Sequence, residues 1–280
     1  SVSIPAKVSY NGVTYTVTAI SSSAFNNCSN LTSVSIGSNV ATIESGAFAY
    51  SKSLSSVSIP NSVKKIGNQA FANCKALTKI TLPSSLTSLG GQAFLDCTGL
   101  TSVILPSTLT SIEFGTFSGC TSLSSVSIPS SVTSIGQSAF QGCTALTSIT
   151  IPKDVTSIGN YAFANCTSLE KVVLPNIRKN VSEGLFQNCT SLKTIELPDS
   201  LEVIQKYAFQ NSGLTEITIP GNVTTIEEYA FQNNDSLTAI TFAEGSTLKT
   251  IGNQVFRDCD ALTGITLPRS EEHTSELQSL

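Results

Sequence analysis

The sequence predicts a repeat solenoid, because three residue types return at a fixed spacing along most of the chain. Phenylalanine recurs every 23 residues from Phe25 to Phe209 and then twice more, at Phe231 and Phe256. A leucine column and a proline column follow almost the same spacing. A unit this short cannot bury its apolar face alone and must stack on copies of itself. We therefore expect a stack of 23-residue coils, an architecture that mostly serves binding.

Each unit is predicted to begin with a short strand directly after its leucine. The leucines of this column are Leu31, Leu54, Leu77, Leu100, Leu123, Leu146, Leu169, Leu192, Leu214, Leu237 and Leu262. Aliphatic residues follow three and five positions later, as Val126 and Ile128 do, and this is the two-residue period of a strand with one buried face. A proline such as Pro129 comes next and ends the strand, because proline cannot donate to a sheet ladder.

The second half of each unit carries another apolar pair and then the phenylalanine. Val132 and Ile135 are one such pair, and Gly136 follows them, which permits the backbone dihedrals of a tight turn. An Ala-Phe dipeptide such as Ala139-Phe140 comes next, where we expect one helical turn on the outer side of the coil. The phenylalanine is the largest apolar side chain in each layer and is predicted to fill the core.

The resulting string, Leu-x-x-Val-x-Ile-Pro-x-Ser-Val-x-x-Ile-Gly-x-x-Ala-Phe-x-x-Cys, is nearly unbroken in residues 123–166 and resembles the BspA-like leucine-rich repeat family. The resemblance covers residues 1–268. It implies a leucine-rich-repeat horseshoe with a parallel β-sheet on its concave face and short strands or helical turns on its convex face. It also implies a secreted or surface-attached protein of an anaerobic bacterium or protist, with a role in adhesion to host proteins or to other cells.

Two segments depart from the repeat. Residues 8–17 insert two alternating apolar runs around Asn11-Gly12, a strong signal for a two-residue hairpin, which we interpret as a structural flap. The unit around Ile177 and Arg178 has Arg178 where an aliphatic residue belongs, so its convex segment is expected to take another path.

Every cysteine stands three residues after a phenylalanine. The column consists of Cys28, Cys74, Cys97, Cys120, Cys143, Cys166, Cys189 and Cys259. An even count in an exported protein would suggest disulfides, but stacked side chains point the same way rather than toward each other. We predict buried, reduced thiols that act as a small polar filler, as Ser51, Ser212 and Asn234 do at the same site. A zinc site is the alternative, although one column offers no converging fourth ligand.

The periodicity ends at Pro268, which divides the chain into a solenoid at residues 1–268 and a tail at residues 269–280. The tail resembles the translation of a sequencing-library adapter, and we expect it not to be native. It contains the only histidine of the chain, His273. The solenoid therefore has no histidine-activated nucleophile and no histidine-type zinc hydrolase site.

Composition narrows the function further. The net charge of −4 makes a nucleic-acid partner unfavourable, and no apolar stretch is long enough to span a bilayer. No cofactor fingerprint or metal motif is present. Carboxylates for glycoside hydrolysis are conceivable at Glu227 and Glu228, or at Asp96 and Glu113 in neighbouring coils, but solvated surface charge is the simpler interpretation.

The candidate binding surface is the concave face, formed by positions one, two and four after each leucine. Over residues 31–150 this face is nearly all Ser and Thr, with Lys79 and Ile104 as exceptions, and charged residues enter it only later in the chain. We predict that partner recognition falls on the later coils, through Glu170, Lys171, Lys193, Thr194, Glu196 and Glu216. The alternative is that Glu170 and Lys193 merely form a surface ion pair.

These patterns predict a non-enzymatic protein-binding or adhesion module of a secreted or cell-surface protein, whose partner is a protein or cell-surface ligand of host or microbial origin. Two alternatives stay open. In the first, the chain is a non-catalytic spacer or targeting arm of a larger enzyme. In the second, it is a structural stalk without a specific ligand.

Overall fold

The computed structural model describes residues 1–175 and 179–268, which form a parallel-strand solenoid with one core running through all coils. The tail at residues 269–280 and the irregular positions 177 and 178 lie outside the described residues. Most coils contribute a strand after the leucine and a second, usually shorter strand later in the unit. We call the surfaces formed by these two sets of strands the leucine face and the second face.

The leucine face corresponds to the sheet predicted from the strand pattern. Its strands are β1 (Val2–Ile4), β5 (Ser33–Ile36), β7 (Ser56–Ser58), β9 (Lys79–Thr81), β11 (Ser102–Ile104), β13 (Ser125–Ser127), β15 (Ser148–Thr150), β17 (Lys171–Val173), β20 (Glu216–Ile219) and β22 (Ala239–Phe242). Neighbouring strands pair in parallel with no offset, so that Val103 lies between Ile80 and Val126. Equivalent residues of successive coils therefore form straight columns.

The second face consists mostly of two-residue strands. They are β4 (Ala19–Ile20), β6 (Thr42–Ile43), β8 (Lys65–Ile66), β10 (Ser88–Leu89), β12 (Ser111–Ile112), β14 (Ser134–Ile135), β16 (Ser157–Ile158), β18 (Lys179–Val181), β19 (Leu201–Ile204), β21 (Thr225–Ile226) and β23 (Thr250–Ile251). They form three sheets, in the orders β10-β8-β6-β4, β12-β14-β16 and β18-β19-β21-β23. The break between β16 and β18 falls beside the unit whose sequence is irregular.

The third side of each coil, where one helical turn was expected, is built from turns, and the described residues contain no helix. The hydrogen bonds give the reason. Alternate N–H groups bond locally, as Ala72 N does to Gln69 O, while those between them bond to the next coil, as Phe71 N does to Ala93 O. Two residues of that turn, Gln69 and Asn73, have φ near +57°, which stops a helix from continuing.

The phenylalanines fill the centre of the solenoid, as the sequence predicts. Phe48 through Phe231 are fully buried, and successive rings from Phe25 to Phe256 stack with centroids 5.2–5.9 Å apart and planes within 20° of parallel. Offset stacking at this separation adds to the stabilisation from apolar burial. Only the two end members, Phe25 and Phe256, are half-buried.

The cysteine column lies beside these rings and satisfies main-chain groups. All eight thiols are free, and each buried thiol donates to the carbonyl of the phenylalanine in the preceding coil, as Cys74 Sγ does to Phe48 O at 3.3 Å. Ser51 Oγ and Asn234 Nδ2 make the same bond to Phe25 O and Phe209 O. This shared bond explains why the column accepts Cys, Ser and Asn.

The segment around Asn11 and Gly12 forms the predicted hairpin, with β2 (Lys7–Tyr10) antiparallel to β3 (Val13–Thr16). Both turn residues have positive φ, +50° and +76°, as a type I′ turn requires. The hairpin projects with all its residues exposed. Within residues 1–175 and 179–268, no helix has the length and apolar character needed to cross a bilayer.

Candidate functional site

The six residues predicted to bind a partner share one surface, the leucine face of the later coils. Glu170, Lys171, Lys193, Thr194, Glu196 and Glu216 are all exposed. The inward residues between them, Val172, Ile195 and Ile217, are buried, which fixes the outward direction of their neighbours because side chains alternate along a strand. Columns of the face then bring Glu170 next to Lys193, and place Thr194 between Lys171 and Glu216.

The charges on this surface have no ion-pair partner in the described part of the chain. The four ion pairs found there are Lys153–Asp154, Lys179–Glu202, Lys206–Glu228 and Arg257–Asp258. The alternative interpretation, in which Glu170 and Lys193 form a surface ion pair, is therefore wrong. A Cβ built on Gly213 would lie 3.2 Å from Lys193 Nζ, so this ammonium is directed along the face toward the following coil instead.

The hydroxyl side chains of the same face are used differently. Those one position after the leucine donate to a carbonyl of the preceding coil, as Ser55 Oγ does to Thr32 O and Ser124 Oγ to Thr101 O. Thr215 Oγ1 does the same to Lys193 O in the later coils. These hydroxyls stabilise coil stacking, whereas Glu170 and Lys193, which occupy the same position, leave their charged ends in solvent.

The strand pattern is interrupted within the candidate surface. Residues 193–197 form no strand, although the sequence predicts one there. The leucine-face strands form four sheets, and this segment lies between the last two, β15-β17 and β20-β22. The interruption lies one coil after the undescribed residues 176–178. The coil keeps a backbone bond to the next one, Thr215 N to Lys193 O at 3.0 Å, so the three coils still form one surface.

Two apolar side chains also protrude from the leucine face. Ile104 is 78% exposed and lies in a column between Thr81 and Ser127. Val173 is 45% exposed, directly beside Lys171 on β17. Ile104 was recognised as an exception to the hydroxyl face, but Val173 was missed. Its signal was an aliphatic residue at the fourth position after the leucine, where most coils carry Ser or Thr.

A cleft of about 530 Å³ opens on the second face, between β16 and β18, and sequence reasoning did not find it. Five of the eleven second-face strands are followed directly by glycine, at Gly67, Gly90, Gly136, Gly159 and Gly252. A Cβ on Gly159 would lie 2.4 Å from Gln137 N, which is closer than side chains tolerate. Ser182 occupies this position in the next coil, where β18 is not paired with β16.

The hydrogen bond made by the residue directly after the second-face strand differs between the regular coils and the coil at the cleft. Gly136 and Gly159 donate through the backbone N–H to Ile112 O and Ile135 O. Ser182 reaches the equivalent acceptor, Ile158 O, through its hydroxyl. The longer connection through a side chain separates β18 from β16, and the cleft results. Glycine is also absent at Gln205 and Glu227, but their backbone N–H groups still bond to Val181 O and Ile204 O, so the loss of glycine alone gave no signal for the cleft.

The walls of the cleft are polar and its floor is apolar. Its lining consists of Thr156, Ser157, Ile158, Asn160, Asn180, Ser182, Glu183, Leu185, Gln205, Lys206 and Glu227. Ile158 and Leu185 are buried and belong to the core, whereas the other residues surround the opening.

The charges around the cleft are largely compensated by neighbours. Glu183 accepts a hydrogen bond from Tyr161 Oη at 2.6 Å and another from Asn160 Nδ2 at 3.3 Å. Partial burial, together with this bond and the negative charge of Glu183, raises the pKa of Tyr161 to about 12. Lys206 pairs with Glu228, which raises the pKa of that lysine.

The carboxylates considered for hydrolysis are held by other groups. Glu227 accepts from Lys206 N, Glu228 pairs with Lys206 Nζ, and Glu113 accepts from Ser111 Oγ. Asp96 and Glu113 lie in different columns of the solenoid, so they do not form a stacked pair. In the part of the chain that the structure describes, no group of three or more His, Cys, Asp or Glu side chains is placed to hold a metal ion.

Comparison with known proteins gives a family match over nearly the whole chain. A family model described as BspA type leucine rich repeat region, in six copies, matches residues 7–108, 88–201 and 156–276. A search of curated proteins found no significant match.

Solved structures of leucine-rich repeat proteins are similar to this chain along most of its length. One from Bacteroides ovatus is 28% identical, with a TM-score of 0.50, covering 93% of this chain and 85% of that one. One from Eubacterium ventriosum is 25% identical, with a TM-score of 0.60 and coverages of 92% and 84%. The pneumococcal vaccine antigen PcpA is 23% identical, with a TM-score of 0.62 and coverages of 93% and 76%, and it supports the fold alone.

Proposed function

The chain belongs to the BspA-type leucine-rich repeat family, and from that membership we propose that it is a non-enzymatic, protein-binding adhesion module of a secreted or cell-surface protein. The binding surface is the leucine face of the later coils, defined by Glu170, Lys171, Lys193, Thr194, Glu196 and Glu216. The partner is a protein on a host or microbial cell surface.

One observation carries this proposal, namely that the charged groups of this surface have no ion-pair partner in the described part of the chain. A charge already paired within the fold has little interaction left for a ligand, whereas a free charge steers encounter and rejects partners of the same sign. Glu170 and Lys171 in one coil, and Lys193 and Glu196 in the next, each combine the two signs, which favours a partner that carries both signs as well.

The surface also offers apolar contact beside the charges. Val173 is exposed next to Lys171, and interface cores combine apolar contact with a polar rim. The backbone of these coils is held by the stack, as by the bond from Thr215 N to Lys193 O at 3.0 Å, so a partner would dock on a preformed backbone, which reduces the entropic cost of binding.

The test is a charge reversal of Lys171→Glu, Lys193→Glu and Glu196→Lys in one variant. We expect the fluorescently labelled parent protein to bind cultured epithelial cells or bacterial cells, and this binding to disappear after mild trypsin treatment of the cells. The variant should bind at least about tenfold more weakly at low salt, and the difference should shrink at high salt as the charges are screened.

The matched control is Glu44→Lys, Lys64→Glu and Lys65→Glu, which changes net charge by the same amount at the second face. It should bind as the parent does. Equal binding by the parent and the leucine-face variant at low ionic strength, with both folded, would remove this surface from consideration.

A further inference from the structure

The cleft between β16 and β18 contains uncharged polar groups that are free to form hydrogen bonds. In the described part of the chain, the side-chain amide of Asn180 has no partner, and Gln205 uses only its Oε1, which accepts from Glu183 N at 3.0 Å. The hydroxyl of Ser157 is exposed at the rim. A ligand in the cleft therefore meets amide donors, amide acceptors and a hydroxyl within one opening.

The charged groups that line the cleft do not favour a charged ligand. Glu183 already accepts two side-chain hydrogen bonds, from Tyr161 and Asn160. Lys206 is paired with Glu228, and Glu227 accepts from the Lys206 backbone. An anion would approach two carboxylates, and a cation would have to compete with partners that are already in place.

The shape of the cleft adds an apolar surface to this polar rim. Ile158 and Leu185 form part of its lining. A volume of 530 Å³ is within the range of about 300–1,000 Å³ found for small-molecule sites.

Sugar rings match this combination, because they present hydroxyl groups at their edges, aliphatic C–H groups on their faces, and no net charge. Adjacent hydroxyls both donate and accept, as the amides of Asn180 and Gln205 do. We propose that this cleft is a binding site for a short neutral oligosaccharide, on the face of the solenoid away from the protein-binding surface. The site is independent of the proposed adhesion function.

The experiment measures binding of maltotriose, cellotriose and chitotriose by isothermal titration calorimetry and ligand-observed NMR. At least one should bind the parent protein. Ser157→Phe, which places a ring in the cleft, should weaken that binding more than about tenfold. Ser88→Phe changes an exposed serine at the equivalent position of β10, three coils away from the cleft, and should leave binding unchanged.

A second pair of variants keeps the test independent of steric effects. Asn160→Ala removes a lining amide and should weaken binding severalfold, while Asn68→Ala, in the same column of a regular coil, should not. The leucine-face charge-reversal variant should bind the saccharide as the parent protein does. Failure of the saccharide proposal can therefore be distinguished from failure of the adhesion proposal.

Three results would overturn the proposal. These are binding of none of the three saccharides, equal binding by Ser157→Phe and Ser88→Phe, or occupation of the cleft by a lysine-rich peptide or a sulfated saccharide in preference to the neutral ones.

Discussion

The solenoid has earlier coils, at residues 31–166, and later coils, at residues 169–251, which share one backbone plan. They differ in how many of their surface groups form bonds between coils. In the earlier coils, glycines such as Gly67 and Gly136 let successive second-face strands approach closely, and hydroxyls on the leucine face bond to the coil before them. In the later coils, Ser182 and Gln205 replace the glycines and free charges replace many of the hydroxyls. Fewer surface groups of the later coils form bonds between coils, so more of them are available to a ligand.

The core should not share this difference, because the phenylalanine stack runs through both regions. Phe140 and Phe186 are each fully buried between two rings. Truncation of either to alanine should reduce the free energy of unfolding by about 3–5 kcal/mol. Chemical denaturation followed by circular dichroism measures this, with Phe25→Ala as a control that costs less because Phe25 is half-buried. A much smaller loss for Phe186→Ala than for Phe140→Ala would mean that the core is not continuous.

The glycine column should separate the two regions. Gly159→Ser inserts a Cβ 2.4 Å from Gln137 N, and we expect a loss of about 1–3 kcal/mol from overpacking. Ser182→Gly restores the residue used by the regular coils, and its effect should be within about 1 kcal/mol because the backbone N–H can take over the bond to Ile158 O. Urea midpoints of the two variants test this, and similar losses in both would show that coil spacing does not depend on this column.

The buried thiols should make the stability of the solenoid fall at high pH. Burial raises the pKa of Cys74, Cys120 and Cys166 to about 12, from an ordinary value of 9.0. The folded protein therefore holds these protons after the unfolded chain has released them. This contribution is complete below about pH 9 and is lost as the pH rises from 9 toward 12. Urea midpoints measured between pH 7 and pH 10.5 should show the decline.

A matched pair of variants isolates this effect. Cys74→Ser keeps a donor for Phe48 O, as Ser51 does for Phe25 O, but removes one thiol and should flatten the decline. Ser212→Ala, in a later coil where the column holds no thiol, should leave the slope unchanged. An unaltered slope in Cys74→Ser would argue against buried protonated thiols. Intact mass of the native protein should also show no disulfide.

The repeat made most of the fold predictable, because the sequence pattern of each element recurs in many coils. The leucine-face strands, the phenylalanine core and the thiol filler follow from columns in which one residue type recurs, and Asn11-Gly12 identified the hairpin. The helical turn was not found, because coil-to-coil bonds such as Phe71 N to Ala93 O are invisible in a local pattern. The missing strand at residues 193–197 had no signal in its own sequence, since Lys193–Leu197 keeps the usual alternation.

The sequence predicted which residues of the candidate surface point outward, but not that their charged groups lack ion-pair partners. Whether Glu170 and Lys193 meet depends on side-chain directions that no spacing rule fixes. The cleft was harder still, because it is a gap between two coils and is visible only once the coils are stacked. Val173 was detectable as an aliphatic residue in a hydroxyl column and was overlooked.

The stacking of coils also determines how the molecule responds to mechanical force. If the two ends were pulled apart along the stack, the load would pass through each coil-to-coil ladder in series. The outermost coils would detach first, since Phe25 and Phe256 are the half-buried members of the ring stack. Each detached coil of 23 residues would release about 75–80 Å of extended chain. Under load the solenoid would thus lengthen stepwise while its remaining coils stay folded.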